Sequence, residues 1–127
     1  MDDFLLGERE LDVMGVLWDI GSGTVAEVRA HLDVTLAYTT VLTILRNLEA
    51  KGFVRHETEG KAHRYLPRVA QQTARRSAVA KLVDKLFAGS PEQLLAQLVE
   101  DRAVTEKDLQ RLRRQLVAGR KGGGKRS

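Results

Sequence analysis

The side chains with the most distinctive chemistry in this chain lie at positions 36–52, in the segment LAYTTVLTILRNLEAKG. At helical spacing, one face of the segment carries short hydroxyls, one guanidinium and one amide, with no acid among them: Thr39, Thr40, Thr43, Arg46 and Asn47. Hydroxyls and amides can contact phosphates and base edges, and arginine can donate two hydrogen bonds to guanine in the major groove. The pattern predicts a DNA-reading helix over residues 38–51, with Arg46 as the leading candidate for a contact. Tyr38, at its start, either hydrogen-bonds phosphate or covers the edge of the core.

The opposite face of this segment is apolar. Val41, Ile44, Leu45 and Leu48 follow the i, i+3, i+4, i+7 spacing of a buried helix stripe. Upstream, a helix is expected up to about residue 20, and the capping box at residues 24–27, TVAE, begins a second helix. This second helix, a short connection and the segment with the polar face follow the order of a helix-turn-helix, in which the second of two short helices carries the polar face.

After Gly52 the hydrophobic period changes from that of a helix to that of strands. Residues 53–58 and 62–66 alternate by two and are separated by residues 59–61, EGK, which predicts a hairpin. Such a hairpin is a wing, whose basic side chains would lie beside the phosphate backbone or minor groove: Arg55, Lys61 and Arg64. Charged side chains on a hairpin also prevent its edge strand from pairing with another chain. The alternative interpretation is therefore a hairpin whose charges face solvent and contact no DNA. The neighbouring Glu57 and Glu59 are expected to point away from DNA.

Residues 70–118 predict helices with strong apolar stripes. Three helices in about fifty residues cannot bury these stripes internally, so a second copy of the chain would cover them. The expected interface residues are Val79, Leu82, Val83, Leu86, Phe87, Leu94, Leu98, Leu109, Leu112 and Leu116. The expected domains are a winged helix over residues 1–69, a dimerisation region over 70–118 and a disordered basic tail over 119–127.

Charge and composition restrict the functional classes. Residues 1–69 hold 8 basic and 11 acidic side chains, whereas residues 70–127 hold 13 basic and 6 acidic ones. The half of the chain that contains the predicted DNA-reading helix therefore has a net negative charge. Residues 37–69 are nevertheless basic, with 6 basic and 3 acidic groups, and it is the presented face that binds phosphate. The absence of cysteine excludes disulfides, thiol nucleophiles and Cys-based metal sites.

No set of residues in the sequence predicts catalysis. The serines have no evident His/Asp partners, and no glycine-rich phosphate loop is present. His56 and His63 face each other across the predicted hairpin, but two imidazoles without a third ligand do not predict a metal site. We expect a cytoplasmic protein that is not an enzyme, uses no cofactor or metal and does not bind membranes.

Taken together, the motifs are similar to those of the penicillinase repressor family. The matching segments are LGERELDVMGVLWD, TVAEV, LAYTTVLTILRNLEAKGFVRH, KAHRYLP and LVDKLFAGSPEQLLAQL, and the similarity covers residues 5–118. This family comprises winged-helix repressors of beta-lactamase and methicillin-resistance genes, and of copper-transport operons. The resemblance implies a homodimer that binds a palindromic DNA operator.

The resemblance also implies a route of release. Family members governed by a beta-lactam sensor are inactivated by cleavage of an Asn-Phe bond in the dimerisation helices, which implies a membrane sensor protease or another regulatory protease as partner. Gln97-Leu98 stands at that position here. Copper-responsive members use C-terminal cysteines, which this chain lacks. The sequence therefore leaves the inducing signal open.

The expected fold is mainly α with a small β-hairpin, a winged helix-turn-helix domain followed by a helical dimerisation region. The expected function is a homodimeric transcriptional repressor involved in antibiotic-resistance regulation. Two alternatives remain: a winged-helix protein–protein adaptor, and a non-specific architectural DNA-binding protein attracted by its basic tail.

Overall fold

The computed structural model describes residues 6–123, with side chains through residue 119. The chain divides into two compact units, the first ending at Ala80 and the second beginning at Lys81. The elements are α1 (Glu8–Ile20), β1 (Gly23–Thr24), α2 (Val25–His31), α3 (Tyr38–Ala50), β2 (Val54–Glu59), β3 (Ala62–Pro67), α4 (Gln71–Leu86), α5 (Pro91–Glu100) and α6 (Glu106–Gly123). The order and packing confirm a mainly helical winged-helix fold.

Both of the first two helices begin at a capping box, and the second begins where the sequence predicts. The Gly7 N–H donates to Glu10 Oε1 at 2.9 Å before α1. Thr24 and Glu27 cap α2 reciprocally, since each backbone N–H donates to the other's side chain at 3.2 Å. Gly21, with φ of +88°, ends α1 in a conformation that glycine adopts without a Cβ clash.

Helix α3 packs its apolar face into the centre of the first unit. Its predicted stripe is buried, and Leu45 and Leu48 are fully inaccessible. Full burial of one such side chain contributes roughly 1.5–3 kcal/mol. The stripe joins a cluster that draws on α1, α2 and the wing: Val13, Met14, Val16, Leu17, Val25, Val28, Val41, Ile44, Leu45, Leu48, Phe53, Val54 and Tyr65. This packing fixes which face of α3 points outward.

The predicted hairpin is present, within a sheet of strand order β1-β3-β2. Glu59 pairs with Ala62, so the turn contains two residues where the sequence predicts three. Strand β1 was not predicted, because two residues are too short to show an alternating pattern. Gly23 pairs with Tyr65, and a Cβ at Gly23 would lie 3.1 Å from both Ile20 Cδ1 and Val28 Cγ2, which favours glycine there.

The second unit contains capped helices. The Ser90 hydroxyl accepts from the Gln93 N–H at 3.2 Å, with Pro91 at the first helical position of α5. Thr105 and Asp108 cap α6 reciprocally at 2.9 and 3.1 Å.

Helix α6 continues through Gly123, although the sequence predicts a disordered tail from residue 119. Glycine lowers helix stability by only about 1 kcal/mol per residue relative to alanine, so it does not prevent the continuation. Residues 124–127 of the predicted tail lie outside the described residues. No helix in the described part of the chain is long and apolar enough to cross a lipid bilayer.

Candidate nucleic-acid interface

The polar face of α3 is exposed along its whole length. Thr39, Thr40, Thr43, Arg46 and Asn47 all face solvent. The first turn of α3 contains no acidic residue, so no carboxylate there opposes an approaching phosphate. The structure therefore brings the five predicted side chains together on one accessible surface, which we call the reading face.

Tyr38 lies at the N-terminal edge of the reading face and is half exposed. It lines a cleft of about 130 Å³ together with Lys61 and His63 of the wing and with apolar residues beneath them. Lys61 is exposed in the hairpin turn. Tyr38 and Lys61 thus border the same opening between α3 and the wing, although they are 23 positions apart.

Hydrogen bonds from other elements hold both ends of α3. At its N-terminal side, Arg29 Nε of α2 donates to the Leu36 carbonyl at 2.7 Å. At its C-terminal side, Lys51 Nζ contacts the two Glu10 carboxylate oxygens at 2.9 and 2.8 Å. Partial burial raises the pKa of Glu10, but the hydrogen bonds from Lys51 and Gly7 outweigh burial and leave the pKa below its ordinary value. No local pattern in the sequence indicates the Lys51–Glu10 contact, because the two residues are 41 positions apart.

The two wing arginines occupy different environments. Arg55 is half exposed and donates to Glu57 at 2.8 Å on the same strand. Arg64 is only 24% exposed and donates to Glu59 at 2.7 and 3.0 Å. It also donates to Glu27 of α2, at 2.9 and 3.2 Å. Glu57 and Glu59, which were expected to point away from DNA, each bind a wing arginine.

The contacts of Arg64 favour the charged forms of Arg64 and of its two carboxylate partners. Its hydrogen bonds are the main cause that lowers the pKa of Glu27 and of Glu59, and the two carboxylates in turn raise the pKa of Arg64. Sequence reasoning missed Glu27 in this cluster, because its capping role in α2 already accounted for it. The geometry favours Arg64 as a connection between the wing and α2.

One face of the wing carries three aromatic rings, those of His56, His63 and Tyr65, and His56 contacts α3. His56 Nδ1 lies 2.7 and 2.9 Å from the Glu49 carboxylate oxygens. The His56 and His63 rings stack, with centroids 4.2 Å apart and an interplanar angle of 13°. Burial raises the pKa of the Tyr65 hydroxyl, and the nearby Glu49 carboxylate raises it further. Arg46 lowers this pKa, whereas Tyr38 raises it. Glu49 is a contact residue that its position on α3 did not reveal.

The predicted dimerisation residues form exposed apolar surface with one exception. Val79, Leu82, Leu86, Leu98, Leu112 and Leu116 are between 36% and 72% exposed. Phe87, Leu94 and Leu109 are partly exposed. Val83 is the exception, since it is only 8% exposed. Residues 97 and 98 both belong to α5, and Gln97 Nε2 donates to Asp101 Oδ2 at 3.1 Å.

Among residues 6–123, no group of three or more histidine or acidic side chains is placed to hold a metal ion.

The chain is similar to proteins of one family. A family model described as penicillinase repressor matches residues 6–118. The chain is 37% identical to the transcriptional regulator BlaI of Mycobacterium tuberculosis, over 95% of this chain and 89% of that protein. It is 23% identical to the penicillinase repressor of Bacillus licheniformis, over 84% of this chain and 85% of that protein. Among solved structures, the DNA binding domain of the repressor BlaI matches with a TM-score of 0.49 and 31% identity, covering 54% of this chain and 87% of that one.

Proposed function

This chain belongs to the penicillinase repressor family, and from that premise we propose that it represses transcription by binding a palindromic DNA operator as a homodimer. The observation that carries the proposal is the reading face of α3, exposed and without a carboxylate, beside a wing that presents Lys61. Two relatives that match most of its length are named as a transcriptional regulator and a penicillinase repressor.

In the proposed complex, α3 lies in the major groove. Arg46 and Asn47 then face base edges, while the three threonine hydroxyls and Tyr38 contact phosphates or bases. Lys61 at the tip of the wing contacts the neighbouring backbone. Arg55 reaches phosphate only by releasing Glu57, and Arg64 holds the wing in place through Glu27 and Glu59.

The second unit supplies the partner contact. Its exposed leucines and valines pack against the same surface of a second copy, as in an isologous two-fold interface. Two copies of α3 then read half-sites separated by one or more helical turns, about 34–36 Å per turn. Because each half-site contact is weak alone, joining the two in one dimer raises the overall affinity steeply. The bound dimer excludes RNA polymerase from the promoter.

Release follows from loss of the dimer. Cleavage near Gln97-Leu98 would remove α6 and part of α5 from the interface. The bond between these residues lies inside a helix, so α5 must unfold locally before a protease can cleave it. We propose this as the entry point of the inducing signal, with a membrane sensor protease or another regulatory protease as the partner.

The decisive experiment is selection of duplexes by the full-length protein from a random-sequence pool. We expect enrichment of a palindromic sequence, and an affinity for it that falls linearly with the logarithm of salt concentration. The matched control is the same duplex with both half-sites scrambled, which should bind far more weakly.

The same assay separates the alternatives. A protein–protein adaptor would enrich no duplex. An architectural protein led by its basic tail would bind selected and scrambled duplexes equally, and truncation after Ala118 would abolish that binding. Specific operator binding should survive this truncation.

A further inference from the structure

Arg29, in the last turn of α2, is held beside the start of α3. Its side chain is exposed, and its Nε donates to the Leu36 carbonyl at 2.7 Å. Leu36 lies two positions before Tyr38, the first residue of α3, and two residues span at most about 7 Å of chain. The guanidinium is therefore placed next to the N-terminal end of the reading face, although it belongs to a different helix.

The charge of Arg29 is not offset by its hydrogen-bond partner. Arg9, Arg55 and Arg64 each donate to at least one carboxylate. The Leu36 carbonyl is neutral, and no other described residue accepts a hydrogen bond from the Nη groups of Arg29. Arg29 is thus fixed in position while its positive charge and its remaining donors stay available.

The acidic side chains closest to Arg29 in the sequence are directed elsewhere. Glu27 accepts from Arg64 of the wing. Asp33, in the connection between α2 and α3, lines a cleft beside α1 together with other aspartates. The first turn of α3 contains no acid. No carboxylate at the start of α3 therefore opposes a phosphate that approaches Arg29.

We propose that Arg29 binds a phosphate of the DNA backbone through its Nη groups, where one strand passes the N-terminal end of α3. This inference rests on the proposed function and adds a contact outside both α3 and the wing. The planar guanidinium matches two phosphate oxygens. Because Leu36 already restrains the side chain in the free protein, binding costs less conformational entropy than for an unrestrained arginine. A phosphate contact carries no sequence information, so it should contribute equally to every duplex.

The first test measures the affinity of the full-length protein for the selected and the scrambled duplex over a series of salt concentrations. Arg29→Gln should weaken both complexes by the same factor, roughly two- to fivefold, the range of one exposed ion pair. It should also reduce the slope of log affinity against log salt by about 0.9, the value for one phosphate contact. Arg29→Lys keeps the charge and should keep the wild-type slope.

Arg9→Gln is the matched control, since it removes the same charge from α1, and it should change neither affinity nor slope. If Arg29 only orients α3 through Leu36, Arg29→Gln would weaken the selected complex, spare the scrambled one and leave the slope unchanged. That result would overturn the proposal. A slope reduced equally in Arg29→Lys and Arg29→Gln would also overturn it, because charge would not be the cause.

The second test is ethylation interference on the selected duplex, in which single phosphates lose their negative charge. With Arg29→Gln, one phosphate in each half-site should no longer inhibit binding when it is ethylated, whereas the other inhibitory phosphates should remain those of the wild type. An interference pattern identical to that of the wild type would overturn the proposal. A wild-type protein that binds no duplex would overturn the proposed function as well, so the two failures are distinguishable.

Discussion

Lys51 Nζ lies 2.9 and 2.8 Å from the two carboxylate oxygens of Glu10, which joins the end of α3 to the first turn of α1 across 41 positions of sequence. The Glu10 side chain is 14% exposed and that of Lys51 is 36% exposed. This ion pair is therefore partly protected from solvent. It fixes the C-terminal end of the reading helix against the body of the first unit.

Glu10→Gln should lower the free energy of unfolding by about 0.5–1 kcal/mol, a value reduced for the exposure of Lys51. The folded-state pKa of Glu10 is below the ordinary value of 4.5, so its stabilisation is complete above that pH and is lost as pH falls through the folded pKa. The difference between wild type and variant should shrink in acid. Urea unfolding from pH 7 to 3 measures it.

Asp12→Asn is the matched control for Glu10→Gln, since Asp12 pairs with Arg9 on the same helix but both partners are more exposed. It should cost less than Glu10→Gln at neutral pH. If both substitutions lowered the free energy of unfolding equally, the ion pair with Lys51 would stabilise the fold no more than an exposed pair within one helix.

Arg46→Ala should weaken binding to the selected duplex by roughly 1–3 kcal/mol without lowering the unfolding temperature, because Arg46 is exposed on the reading face. Fluorescence anisotropy at fixed salt measures the affinity. Arg9→Ala removes an arginine from α1 and should leave affinity nearly unchanged. Unchanged affinity in Arg46→Ala would contradict the assignment of α3 as the recognition helix.

Arg64 and Arg55 should respond differently to substitution by glutamine. Arg64→Gln leaves Glu27 and Glu59 without their shared cation, so the wing should exchange its amide hydrogens faster and the unfolding temperature should fall. Arg55→Gln removes a half-exposed side chain and should change neither property. Hydrogen exchange followed by mass spectrometry on the free protein distinguishes them, and equal exchange would remove the positioning role of Arg64.

The double substitution Leu82→Asp and Leu86→Asp should give a monomer, because it places two charges on exposed apolar surface that the proposed interface covers. Sedimentation velocity reports the molecular mass directly. Lys85→Asp adds an acid to the same helix without removing apolar surface and is the control. A double variant that remains dimeric would place the interface elsewhere.

The sequence determined the elements that depend on local spacing. The two faces of α3 follow from the helical period, and the start of α2 follows from the capping box of Thr24 and Glu27, which are three positions apart. The hairpin follows from alternation on either side of Gly60, whose φ of +61° suits a turn. These features concern neighbours in the chain, so residue types alone are sufficient to predict them.

Only the tertiary structure decided which charged side chains are held in ion pairs with distant elements. Arg64 and Arg55 look alike in sequence, yet Arg64 donates to Glu27, 37 positions away, whereas Arg55 donates to Glu57 on the same strand. Likewise, nothing in the sequence distinguishes Glu49 from other helix carboxylates, whereas the structure places His56 Nδ1 2.7 Å from it. Such pairs depend on the packing of separate elements. Local periodicity carries no information about which distant side chains that packing brings within hydrogen-bond distance.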